Sequence, residues 1–151
     1  MAPPACAEAI GQAEESEAEI LFEFWELYRQ RSDARLVGFN CVGFDIPFLV
    51  RRSWFHGIAV PESLFERGGR YLSPRIVDLM LLWGIGNREY VKLNTLAIFL
   101  GIGGKPEGVS GADFGALWTS GNAESRGIAM DYLRNDLDMT WKLAERMGVI
   151  Q

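Results

Sequence analysis

A chain of 151 residues suits one domain with a real core. At 48% hydrophobic and 12% aromatic residues it is expected to be folded and globular rather than disordered. Fifteen basic against twenty acidic residues leave a formal charge of −5. This excludes a protein that grips nucleic acid through a broad basic surface, but not a nuclease whose carboxylates hold cations. Cys6 and Cys41 make neither a disulfide framework nor a CxxC pair, so a reducing, cytoplasmic setting is expected. No apolar run reaches the roughly eighteen residues of a membrane span. The opening Met1–Cys6 has no basic residue ahead of an apolar run, so it is no secretory signal.

Residues 1–15, rich in Ala, Pro and Glu, read as a loose tail, and residues 16–151 as the folded part. Ser16-Glu17-Ala18-Glu19 has the spacing of a capping box. Behind it Ile20, Phe24, Leu27 and Tyr28 recur at helical spacing to about Gln30. Arg35–Phe39 reads as a short buried strand. Pro47 opens a helix through Phe48, Leu49, Arg52 and Phe55 that stops near Gly57. Val60–Ser73 reads as an irregular loop, and Ile76–Leu82 as an apolar strand or helix, which periodicity leaves open. Leu93, Leu96, Ala97 and Leu100 form a short helix closed by Gly101. Residues 101–111, with five glycines and a proline, read as a long loop. The last helix runs from about Glu124 to Met147, with a break expected near Gly127. Strand and helix alternate, so the class is α/β, with few strands for a complete sheet.

On the last helix Leu133, Leu137, Thr140, Trp141, Ala144 and Met147 fall on one arc, expected to face the core. Asp136 lies at the edge of that arc, with Tyr132 four residues earlier on the same flank, and Asp131 and Asp138 point away. Solvated acids on a helix surface would look the same. Asp45 sits at a strand-to-helix junction, where it suits either a cleft or an N-cap. Asn40 suits a turn as well as a site.

Taken together, Asn40-x-x-x-Phe44-Asp45-x-Pro47-Phe48-Leu49 and, about ninety residues later, Tyr132-x-x-x-Asp136 resemble the second and third motifs of the DEDDy 3′–5′ exonucleases. The likeness is to the proofreading domains of family-B DNA polymerases and their stand-alone bacterial and phage relatives. It spans about residues 17–149, taking in Ile76-Val77-Asp78-Leu79 and Lys92-Leu93-Asn94-Thr95-Leu96-Ala97. The resemblance implies a ribonuclease-H-like (DnaQ-like) α/β fold in which four carboxylates hold two Mg²⁺ or Mn²⁺ ions. Phosphodiester hydrolysis needs an activated water and a stabilised leaving oxygen, and two hard cations about 3.5–4 Å apart serve both. Hard cations take oxygen ligands, hence Asp and Glu. By resemblance Asp45 and Asp136 are two of the metal ligands. Tyr132 orients the attacking water, since a phenol is a poor base near neutral pH. The resemblance further implies that Asn40, Phe44, Lys92 and Asn94 contact the substrate, expected to be the single-stranded 3′ end of DNA, with RNA as an alternative.

The family's first motif, D-x-E on the opening strand, is absent: none of the seven aspartates is followed two residues later by glutamate. Glu15, Glu17 and Glu19 form acidic pairs at a helix start, not on a strand. The chain is therefore expected to be N-terminally incomplete, with a missing upstream segment or self-association covering an exposed sheet edge. A catalytically dead module that binds nucleic acid or a partner protein is the rival reading.

The other signals are weaker. His56, the only histidine, reads as a helix-end residue and excludes the family's histidine variant. Gly101–Pro106 lacks the spacing of a phosphate-binding loop. Phe44 and Phe48 are expected to pack beneath the site rather than stack a base. Asp78 reads as a structural strand or helix end, and the five tryptophans as core or half-buried residues.

Overall fold

A computed structural model describes residues 16–66, 71–85, 87, 89–104, 111–120 and 122–150. The expected tail therefore lies outside the described residues, as do Cys6, Glu15, Lys105 and Pro106. The fold is mixed, helices with a small parallel sheet, as an α/β class requires. The chain divides into two compact units, 1–88 and 89–151.

The first unit begins with α1 (Glu17–Gln30), started by the capping box. The Glu19 backbone N–H donates to Ser16 Oγ at 3.3 Å, and the Ser16 N–H donates to a Glu19 carboxylate oxygen at 2.8 Å. Two otherwise orphaned donors are thereby satisfied. Leu21, Trp25 and Tyr28 form its buried face. Trp25 and Tyr28 share a core cluster with Ile46 and Val50 of α2 (Asp45–Phe55), whose first turn contains Pro47. Trp25 is fully buried, and its indole N–H donates to Ser53 Oγ at 2.7 Å. Ser53 in turn donates to the Leu49 carbonyl at 2.7 Å, so no polar atom of this pair lacks a partner.

Between these helices lies β1 (Leu36–Gly38), parallel to β4 (Ile76–Asp78) with Leu36 opposite Ile76 and Gly38 opposite Asp78. The run from Ile76 is strand first and helix second, because Asp78 ends β4 and caps α3 (Leu79–Trp83). The stretch expected as an irregular loop is instead partly ordered. A 3₁₀ turn at Glu62–Leu64 leads into β2 (Phe65–Glu66), antiparallel to β3 (Tyr71–Leu72). Buried Leu64 anchors it by accepting the Ser73 N–H through its carbonyl at 2.8 Å. Arg75 ties the end of α1 to β4: its guanidinium lies 4.4 Å over the Tyr28 ring and donates to the Ala34 carbonyl at 2.9 Å.

Gly38 is where the backbone needs the smallest side chain. A Cβ there would sit 2.7 Å from Cys41 Cβ and 2.9 Å from its Sγ. Gly38→Ala is therefore expected to destabilise the first unit by about 1–3 kcal/mol, read as a lower urea midpoint at unchanged slope. An unchanged midpoint would show that the turn yields freely.

The second unit holds α4 (Leu93–Phe99), α5 (Gly111–Thr119) and α6 (Ala123–Arg146), with α6 against both of the others. Gly101, at φ 70°, ends α4, and the Ile102 N–H returns to the Ala97 carbonyl at 2.9 Å. This is the left-handed glycine stop expected from its position. α5 begins on Gly111, the last residue of the expected loop, and occupies a stretch for which no element was expected; Phe114 and Trp118 stack on it at 6.1 Å. α6 starts on Asn122, whose side chain accepts the Glu124 N–H at 2.9 Å, and it runs unbroken through Gly127.

The face α6 buries also differs from expectation. Its buried residues are Ala129, Met139, Leu143 and Ala144, whereas Leu133 and Leu137 are exposed. The helix carries apolar residues on two flanks, and tertiary neighbours rather than composition select between them. Among the tryptophans, Trp54 is exposed, not core.

Candidate active site

Asp45 is the first residue of α2, mounted just beyond the carboxyl end of β1. In open α/β sheets ligands bind outside the carboxyl ends of the strands. The cap position belongs to Phe44, which makes no side-chain capping bond, so Asp45 does not act as an N-cap. Although Asp45 as a whole is exposed, its carboxyl titrates above the ordinary aspartate range. Partial withdrawal from water is the main cause; the Asp78 charge adds to it, and Asp45's own backbone N–H opposes it. A bound cation would reverse that shift.

The turn ahead of Asp45 is built from Asn40, in the left-handed region at φ 57°, and Gly43. Asparagine tolerates that conformation better than most residues. A Cβ on Gly43 would lie 2.5 Å from Asn40 Oδ1, so a larger residue there would displace the Asn40 side chain. Phe44 and Phe48 do not pack beneath the site as expected. They are 64% and 52% exposed and stack on each other at 6.3 Å with planes 13° apart. The two rings, four residues apart, form one exposed aromatic face at the start of α2. Cys41, buried below the turn, has its thiol pushed up to about 12 by burial first and by the Asp78 and Asp45 charges second. At neutral pH it is therefore a protonated thiol.

Asp78 is buried and anchors this region, in keeping with its structural reading. Its carboxylate accepts the Asn40 and Val42 N–H groups at 2.9 Å each, besides capping α3. Sequence reasoning recognised an element end here but missed the link to Asn40 and Val42. The signal was a single acid closing the apolar run Ile76-Val77, where a buried charge requires several donors.

Asn40, Phe44, Phe48 and Asp45 therefore come together in the first unit, and the remaining candidates lie in the second. Tyr132 and Asp136 are half-buried and fall on one line of α6 with Ala129, Met139 and Leu143, at alternating spacings of three and four. They sit within the buried stripe rather than at the edge of the arc first assigned. The Tyr132 hydroxyl lies over the start of α5, 3.4 Å from where a Cβ on Gly111 would be. Asp131 and Asp138 are surface acids, paired with Arg134 at 3.1 Å and Lys142 at 2.7 Å. Lys92, exposed, precedes α4, and half-buried Asn94 lies in its first turn, near Gly104.

The acids near the start of α1 are otherwise committed. Glu19 serves the capping box. Glu17 accepts from Arg52 Nε at 2.7 Å and contacts His56 Nε2 at 2.8 Å, with a second bond from the Arg52 fork. His56 ends α2, as its helix-end reading requires. Arg52 first and His56 second bring the Glu17 pKa down from 4.5 to about 2. A lowered folded-state pKa contributes stability that is present above about 4.5 and lost as pH falls toward about 2. Because Glu17 is 40% exposed, solvent screening limits that contribution to below about 1 kcal/mol. In an acid titration of stability, Glu17→Gln should flatten this limb; an unchanged limb would assign the acid sensitivity elsewhere.

Among the described residues no three His, Cys, Asp or Glu side chains gather as a metal site would require. Asp45 and Asp136 are donors of the right chemical type for a hard cation but too few to hold two. Nor is any helix among the described residues long and apolar enough to cross a membrane.

Comparison with known proteins supplies the context for this arrangement. A family model described as a predicted 3′–5′ exonuclease related to the exonuclease domain of PolB matches residues 6–151. The uncharacterized protein MJ0365 of Methanocaldococcus jannaschii is 30% identical over 137 residues, covering 86% of this chain and 73% of that protein. No solved structure matches.

Proposed function

This chain belongs to the family of predicted 3′–5′ exonucleases related to the exonuclease domain of PolB, and from that premise we propose that it handles the single-stranded 3′ end of a nucleic acid, DNA in preference to RNA. The observation that carries this reading is the exposed, stacked Phe44–Phe48 pair beside Asp45 at the carboxyl end of β1. Aromatic faces accept any base and do not require a paired strand. A terminal base resting on these rings would bring its phosphodiester toward Asp45. Exonucleases of this kind generally depend on divalent metal, Mg²⁺ or Mn²⁺, which would activate water and stabilise the leaving oxygen. In this proposal the fold is ribonuclease-H-like, with Asp45 and Asp136 as metal ligands. Tyr132 orients water beside Asp136, while Asn40, Lys92 and Asn94 contact the substrate strand.

A second reading, a nuclease-derived module that binds without cutting, is favoured by one specific feature. The chain has no D-x-E, and no cluster of three acids occurs among its described residues. Binding and cleavage are separable with a 3′-labelled oligonucleotide, by anisotropy and by release of labelled nucleotide in Mn²⁺. The chain is expected to bind a single strand better than a blunt duplex, and Phe44→Ala to weaken that binding about tenfold. Equal affinity for the two substrates, indifferent to Phe44→Ala, would remove the basis for both readings.

A further inference from the structure

We infer that Asp78 is a positioning residue for Asp45: its carboxylate holds the strand-to-helix turn that carries Asp45 and Phe44 in place against the sheet. The functional meaning rests on the proposed role of Asp45; the geometry does not. β1 and β4 run parallel with Gly38 opposite Asp78, so both strands leave the sheet at the same end. From β1 the chain must turn into α2 within Phe39–Phe44, through left-handed Asn40. Such a turn leaves backbone N–H groups without a ladder partner, and each needs an acceptor.

Asp78 supplies two. Its Oδ1 accepts the Asn40 N–H and its Oδ2 the Val42 N–H, both at 2.9 Å. The same Oδ1 accepts from Met80 at 3.0 Å and Leu81 at 3.4 Å in the first turn of α3. One side chain, 5% exposed, therefore joins the end of β4, the start of α3 and the β1–α2 turn. The backbone bonds within the turn are internal: Gly43 and Phe44 donate to the Asn40 carbonyl, and Ile46 donates to that of Cys41. Those bonds set the shape of the turn but not its place on the sheet. The Cys41 thiol reaches the Val77 carbonyl only at 4.0 Å, a weak tie. Charge-assisted bonds from a buried carboxylate are stronger and more directional.

The two oxygens divide the work in a way that separates capping from positioning. An N-cap needs one acceptor, and asparagine caps as well as aspartate. Oδ2 takes no part in the cap and serves Val42 alone. Asp78→Asn retains one acceptor oxygen and places an NH₂ group among donors, so it can cap α3 but cannot hold both turn amides.

The test is amide hydrogen exchange by NMR on the full chain, with Mn²⁺ alone as a paramagnetic probe. In Asp78→Asn, protection at Val42 is expected to fall at least about tenfold, with Met80 and the core amides of Leu21 and Val50 unchanged. Mn²⁺ broadening of the Phe44 and Asp45 signals should then require at least about tenfold more metal. A uniform loss of protection would reduce Asp78 to a general stabiliser, and unchanged Val42 protection would refute its hold on the turn. If wild type shows no Mn²⁺ broadening at Asp45 while Val42 protection still falls in the variant, the anchor stands and the metal role of Asp45 fails. Should the variant not fold, wild-type exchange decides. Slow Asn40 and Val42 amides support the proposal, and amides exchanging at free-peptide rates overturn it.

Discussion

Supplying a strand that carries D-x-E, fused ahead of residue 16 or added as a separate peptide, is expected to raise Mg²⁺-dependent release of nucleotide from a 3′-labelled strand at least about a hundredfold. The chain alone is expected to release little or nothing. In the proposed site two carboxylates would leave the ions with too few anionic ligands to compete with water, and Mg²⁺ surrenders its waters reluctantly. Within the first unit the described parallel sheet has two strands, β1 and β4. The added strand would thus supply both ligands and pairing partners. Asp45→Ala and Asp136→Ala should each abolish the recovered activity. If the unsupplemented chain already digests 3′ ends at a rate that Asp45→Ala destroys, the missing carboxylates come from elsewhere. Glu17 and Glu19 are poor candidates, being held by Arg52 with His56 and by Ser16. If supplementation restores no cleavage although the strand binds, the non-cutting module becomes the better reading.

Trp25→Ala is expected to carry the largest stability cost of any single truncation in the first unit, about 3–5 kcal/mol. Trp25 is fully buried at the α1–α2 contact, edge-on to Phe24 at 4.8 Å and Tyr28 at 6.0 Å. Truncation would open a cavity and also remove the indole donor from buried Ser53. Trp25→Phe retains most of the volume and loses the bond, so it should cost about 1–3 kcal/mol. Trp54→Ala is the control: with Trp54 63% exposed, its change should stay within about 0.5 kcal/mol. Urea unfolding of the three variants would rank them. A Trp54 cost equal to that of Trp25 would mean that the exposed face of α2 is covered in solution.

The features legible in the chain were those encoded within a few residues. Ser16 with Glu19 marked the start of α1, Pro47 the first turn of α2, and Gly101 the end of α4, because caps and glycine stops depend on local backbone chemistry. The motif around Asp45 was legible for the same reason, being contiguous and placed at a strand-to-helix junction. α5 was not, since Gly111, Gly115 and a glycine-rich approach mask its helical pattern. The β2–β3 pairing escaped notice because strands of two residues carry no measurable alternation.

By itself the sequence determined the succession of α1, β1 and α2, the chemical identity of Asp45, Tyr132 and Asp136, and the absence of a D-x-E pair. Only tertiary structure decided which flank of α6 is buried, placing Tyr132 and Asp136 within the stripe of Ala129, Met139 and Leu143 while leaving Leu133 and Leu137 exposed. It also decided that Phe44 and Phe48 stack in solvent, and that Asp78 reaches across 36 and 38 residues to Val42 and Asn40. The physical reason is common to all three. Periodicity states which side chains share a face, but burial and hydrogen-bond partners depend on residues distant in the chain, brought close only by the fold.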